Sequence, residues 1–150
     1  MKKIIIIGAG AMGSAFAVPC IENENEVTLV GTHLENELIK IIKSNNNLHP
    51  ALKLELPAEL KVEEFNKLNT LLEDKVDIIV AGVSSLGIDW FVEQIAKNYK
   101  KNIPIILLTK GLAIVEGELM TLSDKIKKLL KEKGHQEVNV SAIKGPCLAV

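Results

Sequence analysis

Four consecutive isoleucines, running directly into three glycines, restrict this chain more than any other feature. The isoleucines occupy residues 4–7, and the sequence GAGAMG follows at once over residues 8–13. β-Branched residues favour strands, and glycines with this spacing between a strand and a helix form the G-x-G-x-x-G fingerprint. The opening of the chain is therefore predicted to be a buried strand, a tight turn and a helix.

Each glycine of this turn removes a side chain for a different reason. Gly8 permits the tight turn, Gly10 lets a ligand approach the main chain, and Gly13 lets the helix pack close to the strand. The amides of Ala11, Met12 and Gly13 then face a diphosphate at the positive end of the helix dipole. These residues are predicted to bind a dinucleotide, with an accidental glycine turn as the alternative.

The rest of the chain alternates β-branched runs with helical patterns, which is typical of βαβ units. The predicted strands are residues 3–8, 27–31, 76–80, 103–108 and 138–142, with a short sixth strand at 60–62. The predicted helices are residues 13–21, 34–43, 65–72, 86–99 and 117–133, and the asparagine-rich segment 44–57 is a predicted loop. Residues 1–150 are thus expected to form one α/β domain, a Rossmann-type, doubly wound, mainly parallel sheet with helices on both faces.

Composition limits the possible partners and sites. All 18 basic residues are lysine and the formal net charge is −1, so nucleic acid is not an expected partner. Only five residues are aromatic, which predicts no surface of stacked rings. Without arginine, a phosphate has to be bound by lysine, by backbone amides or by another part of the molecule. Cys20 and Cys147 lack metal-ligand spacing and the histidines are scattered, so we expect no metal site and a reducing cytoplasm.

A secretory signal is an alternative interpretation of the first twenty residues, because Lys2 and Lys3 precede an apolar stretch that extends to Val18. The glycines interrupt that stretch at the fingerprint spacing, and the residues before Cys20 suit cleavage poorly. No later segment has the roughly 18 uninterrupted apolar residues of a membrane helix. We therefore expect no membrane span.

The end of the second strand is where folds of this kind use an acidic residue to bind the adenosine ribose. The strand runs into Gly31, Thr32 and His33, and Glu35 is expected to lie one turn too far away. Thr32 is a candidate contact for a ribose hydroxyl or a phosphate, with a helix N-cap as the alternative. The choice between NAD and NADP stays open.

Two further strand ends are expected at the same edge of the sheet. Val83 and Ser84 follow the strand at 76–80 and are candidate cofactor contacts, although capping of the next helix also explains Ser84. Lys110 leaves the strand at 103–108, where its ammonium could neutralise charge that develops on a carbonyl oxygen. We predict that Lys110 is catalytic; a solvated surface lysine is the alternative.

Together these segments resemble the N-terminal domain of NAD(P)-dependent glycerol-3-phosphate dehydrogenases. The likeness rests on GAGAMGSAFAVP at 8–19, VTLVGT at 27–32, His49-Pro50 leading to LELP at 54–57, VAGVSS at 80–85, LLTKGL at 107–112 and KGPCLA at 144–149. The order and spacing of these motifs are more specific than any one of them.

The resemblance implies reversible hydride transfer between the nicotinamide of NAD or NADP and dihydroxyacetone phosphate, which gives sn-glycerol 3-phosphate. It implies that Lys110 contacts both the substrate and the cofactor, that Gly145 and Cys147 contact the substrate, and that Ala149 lies beside the nucleotide. It also implies a second, helical substrate domain that is absent from these 150 residues, and it is compatible with a homodimer of the full-length protein. We expect this chain alone to bind nucleotide weakly and to be inactive.

Two alternative functions are also compatible with a glycine-rich turn after the first strand. One is a ketopantoate reductase-like or β-hydroxyacid dehydrogenase-like enzyme, against which the TKG and KGP sequences argue. The other is a non-catalytic module that senses nucleotides, and such a module would need no lysine at the edge of the sheet. Cys147 has no neighbouring histidine to activate it, so we assign it no covalent chemistry.

Overall fold

The computed structural model describes residues 1–100 and 102–143. The strands are β1 (Lys3–Ile7), β2 (Glu26–Val30), β3 (Leu48–His49), β4 (Leu54–Glu55), β5 (Lys61–Glu63), β6 (Ile78–Ala81), β7 (Ile105–Leu107), β8 (Leu112–Val115), β9 (Glu118–Thr121) and β10 (Val140–Ala142). The helices are α1 (Ala11–Glu22), α2 (Asn36–Ser44), α3 (Leu68–Glu73), α4 (Ile88–Ala96) and α5 (Leu122–Glu132), with 3₁₀ turns at Phe65–Lys67 and Ser85–Gly87.

Six strands form one parallel sheet in the order β10-β7-β6-β1-β2-β5. β1 pairs with β2 on one side and with β6 on the other, so the direction of winding reverses at β1. This is the strand order of a doubly wound, Rossmann-type sheet, in which the ligand crevice lies at the carboxyl ends of the strands that flank the reversal. The predicted fold class is confirmed.

The four isoleucines of β1 are buried on both faces of the sheet. Ile4 and Ile6 pack in the apolar layer that includes α1 and α2, whereas Ile5 and Ile7 pack in the layer that includes α3, α4 and α5. Each is at most 5% exposed, as expected for a strand whose side chains alternate between two covered faces. Full burial of one such side chain contributes about 1.5–3 kcal/mol, so β1 anchors both helical layers.

The predicted strands are found with ends shifted by no more than two residues, and the short strand at 60–62 is β5. The predicted loop at 44–57 contains a small hairpin, in which β3 and β4 pair over two residues each. The helix predicted from residue 34 begins two residues later, at Asn36. This shift changes the direction of the preceding side chain, with consequences for the site.

The helix predicted over residues 117–133 is wrong at its beginning. β8 and β9 form an antiparallel hairpin through Glu116 and Gly117, which have φ values of 54° and 85°. Two consecutive positive φ values suit the two-residue turns that match the twist of hairpin strands. α5 starts only after Thr121, whose hydroxyl oxygen accepts a hydrogen bond from the amide of Asp124 at 3.2 Å.

Three glycines allow main-chain segments to meet at the reversal of the sheet. A Cβ on Gly13 would lie 2.0 Å from the carbonyl oxygen of Gly8, and a Cβ on Gly8 would lie 2.5 Å from that of Gly82. Gly8 also has φ +110°, a conformation that other residues rarely adopt. At Gly10, by contrast, a Cβ would have one neighbour within 4 Å among the described atoms, a Glu35 carboxylate oxygen at 3.7 Å.

We expect Gly13→Ala to lower the free energy of unfolding by about 1–3 kcal/mol or more, because the added methyl overlaps a carbonyl oxygen. Gly10→Ala should change it by less than about 0.5 kcal/mol, since Gly10 has space and an ordinary extended backbone. Urea unfolding, monitored through the single tryptophan, compares the two variants. Equal stability of both would contradict the close contact at Gly13.

Candidate functional site

The turn after β1 lies between the turns that follow its neighbouring strands. Hydrogen bonds connect these ends of the sheet, from Gly8 N to the Val30 oxygen (2.8 Å), from Gly82 N to the Ile7 oxygen (2.8 Å) and from Leu108 N to the Ala81 oxygen (3.1 Å). Because β1 and β7 run parallel in the same sheet, Gly10 and Lys110 emerge at the same edge. The predicted common edge is present.

α1 begins beside this turn without a side-chain cap. Its N-cap residue is Gly10, and its first turn contains no acidic residue. The amide of Ser14 makes the hydrogen bond back to the Gly10 carbonyl, at 3.0 Å. The amides of Ala11, Met12 and Gly13 precede it and have no carbonyl partner within the helix. Amides at an uncapped helix start whose first turn has no acidic residue are suited to an anion.

The carboxylate of Glu35, the residue before α2, contacts this turn, contrary to the sequence prediction. The Glu35 Oε2 atom accepts hydrogen bonds from the amide of Ala9 at 3.0 Å and from the amide of Thr32 at 2.7 Å. The expectation that Glu35 lies one turn too far away is wrong. Because α2 begins at Asn36, Glu35 precedes the helix and its side chain turns back over the glycine turn. An acidic residue is therefore present at the end of β2.

The two hydroxyl residues predicted near the cofactor lie at this edge in turns. The Thr32 hydroxyl oxygen accepts from the amide of Leu34 at 3.4 Å, so Thr32 closes a turn one step before α2. Glu35, and not Thr32, is the N-cap residue of that helix. Ser84 is exposed and precedes the 3₁₀ turn at 85–87, without a capping hydrogen bond from its side chain. Capping therefore does not account for either residue, and both stay predicted cofactor contacts.

Lys110 borders a cavity of about 350 Å³ at the carboxyl ends of β7 and β10. The side chain of Lys110 is exposed, and Thr121, Ser123 and Ile143 contribute to the cavity wall. The Thr109 hydroxyl donates to the carbonyl of Val83, which joins this cavity to the turn after β6. Lys110 therefore lies where small polar groups and an apolar wall meet.

Three aromatic rings also cluster at this edge, which the sequence did not predict. His33 follows β2, Phe65 follows β5, and Trp90 lies in α4. The ring centroids are 5.0 Å apart for His33 and Trp90, 5.4 Å for Phe65 and Trp90, and 6.2 Å for His33 and Phe65. The rings are tilted or edge-on and are not stacked, and the fold brings them together from segments that are far apart in sequence.

Sequence reasoning also missed the role of His49 and treated it as one of three scattered histidines. His49 is 1% exposed, and its Nε2 atom lies 3.0 Å from the carbonyl oxygen of Ala9. The one sequence signal for it was the His49-Pro50 pair within the family resemblance. A buried histidine thus contacts the glycine turn from the interior of the protein.

Several residues that the sequence predicts for the site lie outside the described residues. They are Gly145, Cys147 and Ala149, together with Lys144 and Pro146.

Other sequence features lie outside the site. Burial raises the pKa of the Cys20 thiol, in α1, above its ordinary value, so the thiol is a poor nucleophile at neutral pH. Over residues 1–100 and 102–143, no three His, Cys, Asp or Glu side chains are grouped to hold a metal ion. Within those same ranges, no helix has the length and apolar character that crossing a membrane requires.

Comparisons with known proteins point to one family. The family described as NAD-dependent glycerol-3-phosphate dehydrogenase N-terminus matches residues 3–150. The NADP(+)-dependent glycerol-3-phosphate dehydrogenase of Archaeoglobus fulgidus is 34% identical over 148 residues, which are 97% of this chain and 42% of that protein. The glycerol-3-phosphate dehydrogenase [NAD(P)+] of Mesoplasma florum is 34% identical over 151 residues, which are 99% of this chain and 42% of that protein.

A solved structure shows the same fold. The crystal structure of glycerol-3-phosphate dehydrogenase from Coxiella burnetii matches with a TM-score of 0.76 at 23% sequence identity. The match covers 99% of this chain and 42% of that one. The chain therefore spans about two-fifths of the length of the relatives it matches.

Proposed function

Because the chain belongs to the family of NAD-dependent glycerol-3-phosphate dehydrogenase N-termini, we propose that it binds the NAD or NADP of such an enzyme. The whole protein would interconvert dihydroxyacetone phosphate and sn-glycerol 3-phosphate, with a second domain that supplies most substrate contacts. The observation that carries the proposal is the open main chain at Gly10, directly in front of the uncapped start of α1.

The diphosphate of the cofactor would lie against the amides of Ala11, Met12 and Gly13. These amides and the helix dipole replace the guanidinium that the chain lacks. The adenosine ribose would lie at the end of β2, as in other doubly wound folds, near Thr32 and Glu35. The Thr32 hydroxyl can hydrogen-bond either a ribose hydroxyl or a 2′-phosphate, so the proposal includes both NAD and NADP.

When bound, the nicotinamide ring donates or accepts the hydride. Val83 and Ser84, in the turn after β6, would contact the nicotinamide half. The Lys110 ammonium would stabilise negative charge on the substrate carbonyl oxygen and hold that oxygen in place during hydride transfer. The cavity beside Lys110 gives room for a small phosphorylated substrate. Gly145, Cys147 and Ala149 stay predicted contacts at the same site.

The cellular setting is a separate part of the proposal. The spacing of the two cysteines offers no disulfide framework, which favours the cytoplasm. The full-length protein would act as a homodimer or as a monomer, and the binding proposal is independent of that choice.

We expect the chain to bind NADH or NADPH, and Gly10→Ala to weaken that binding at least about tenfold, because a methyl group would stand where the diphosphate approaches. Calorimetric titration measures the affinities, and Gly10→Ala is informative because it should fold normally. Ser44→Ala, at the far end of α2, is the control and should bind like the unaltered chain. Failure of the unaltered chain to bind either dinucleotide would refute the proposal.

In the intact protein, we expect Lys110→Ala to lower kcat/KM for dihydroxyacetone phosphate by about 100-fold or more, as the loss of a charge-stabilising group does in other enzymes. Lys131→Ala, an exposed lysine of α5, is the control. Unchanged turnover in Lys110→Ala contradicts the role of Lys110. Turnover of ketopantoate alone supports the reductase alternative, and nucleotide binding without any turnover supports a sensing module.

A further inference from the structure

The main-chain amide and the main-chain carbonyl of Ala9, inside the glycine turn, are both held by side chains. Ala9 is 0% exposed and lies between two glycines. Gly8 has φ +110°, and Gly10 has an extended backbone with φ −62° and ψ 177°. Glycine neighbours impose little preference on the rotation of a peptide, so its orientation depends on other contacts. That orientation sets the path of the chain into α1.

The carbonyl oxygen of Ala9 accepts two hydrogen bonds. The Ser14 hydroxyl donates at 2.9 Å, and His49 Nε2 lies at 3.0 Å, although it is 40 residues away in sequence. The amide of Leu52 donates to His49 Nδ1 at 3.2 Å, so Nδ1 carries no hydrogen and Nε2 is the donor. Because His49 is buried, it contacts the glycine turn from the interior of the protein and is shielded from any ligand.

The amide of Ala9 is held from the opposite side by Glu35. The same Glu35 oxygen also accepts from Thr32, so one carboxylate joins the turn after β1 to the turn after β2. Hydrogen bonds to a charged acceptor are stronger than those between neutral groups. Two distant segments, the residue before α2 and the hairpin of β3 and β4, thus fix the two peptide groups on either side of Ala9.

The segment around His49 contains three residues with positive φ. Asn46, Asn47 and Lys53 have φ values of 46°, 58° and 51°, in the left-handed region that asparagine tolerates better than lysine does. The hairpin of β3 and β4 pairs only two residues on each side, so its own hydrogen bonds stabilise it little. The buried ring of His49 connects this hairpin to Ala9.

We infer that His49 is a positioning residue for the dinucleotide, and that Glu35 assists it. By holding the peptide groups on either side of Ala9, the two side chains direct the amides of Ala11 and Met12 towards the diphosphate. This inference rests on the proposed cofactor binding. Loss of the His49 hydrogen bond should let the peptide between Ala9 and Gly10 rotate, so that the diphosphate is bound less well while the adenosine contacts are unaffected.

The test compares His49→Leu with His49→Gln in the 150-residue chain. Leucine cannot donate, whereas the amide of glutamine can donate to the Ala9 carbonyl from a position close to that of Nε2. We expect His49→Leu to lower the affinity for NADH or NADPH about tenfold and His49→Gln to restore most of it. The affinity for adenosine, which has no phosphate, should stay unchanged in both. NMR titration at a temperature where each variant is folded gives all of these affinities.

His135 provides a matched control, because its Nε2 atom contacts the Ala96 carbonyl at 2.8 Å, at the end of α4. His135→Leu removes a histidine contact with a carbonyl and should lower stability without changing dinucleotide affinity. If His49→Leu does not fold, His49→Asn takes its place, since the shorter amide does not reach Ala9.

Three results would overturn the inference. The first is unchanged dinucleotide affinity in the His49 variants that lack the hydrogen bond, and the second is an equal loss in His135→Leu. The third is a loss for adenosine as large as the loss for NADH, which would indicate an effect on overall stability. If the unaltered chain binds neither dinucleotide, the proposed function fails, and the inference fails with it.

Discussion

The rest of the structure depends on close contact between main-chain segments at β1, where the direction of winding of the sheet reverses. Gly13 lies against the Gly8 carbonyl, and Gly8 lies against Gly82, at distances that leave no room for a Cβ. This contact brings the start of α1 down to the edge of the sheet. Its amides therefore face the crevice between β1 and β6, and an anion there would meet peptide groups without an intervening layer of side chains.

The parts of the fold that could be predicted from sequence are those with a local cause. The isoleucines of β1 and the glycines after it specify strand, turn and helix start within 11 consecutive residues, 3–13. The other buried strands are equally local, because an apolar β-branched run does not depend on its neighbours for recognition. The common edge of Gly10 and Lys110 then followed from the parallel arrangement of the strands, whose carboxyl ends lie at one edge of the sheet.

The side chains that surround the glycine turn could not be predicted, because their positions depend on packing between distant segments. Glu35 has a non-helical backbone just before α2, with φ −111° and ψ 12°. Its bond to Ala9, 26 residues away in sequence, depends on how the turn before α2 packs against the glycine turn. His33, Phe65 and Trp90 come from three different crossovers. The turn at Glu116 and Gly117 carried a local signal, a glycine between two apolar runs, that a helical period obscured.

The burial of β1 on both faces also affects how the protein loses its structure. The layer of α1 and α2 packs on Ile4 and Ile6, and the layer of α3, α4 and α5 packs on Ile5 and Ile7. Loss of this one strand would therefore remove part of the apolar core of both layers. Thermal denaturation should therefore be a single cooperative transition with no half-melted intermediate, and the glycine turn should remain ordered for as long as either helical layer does.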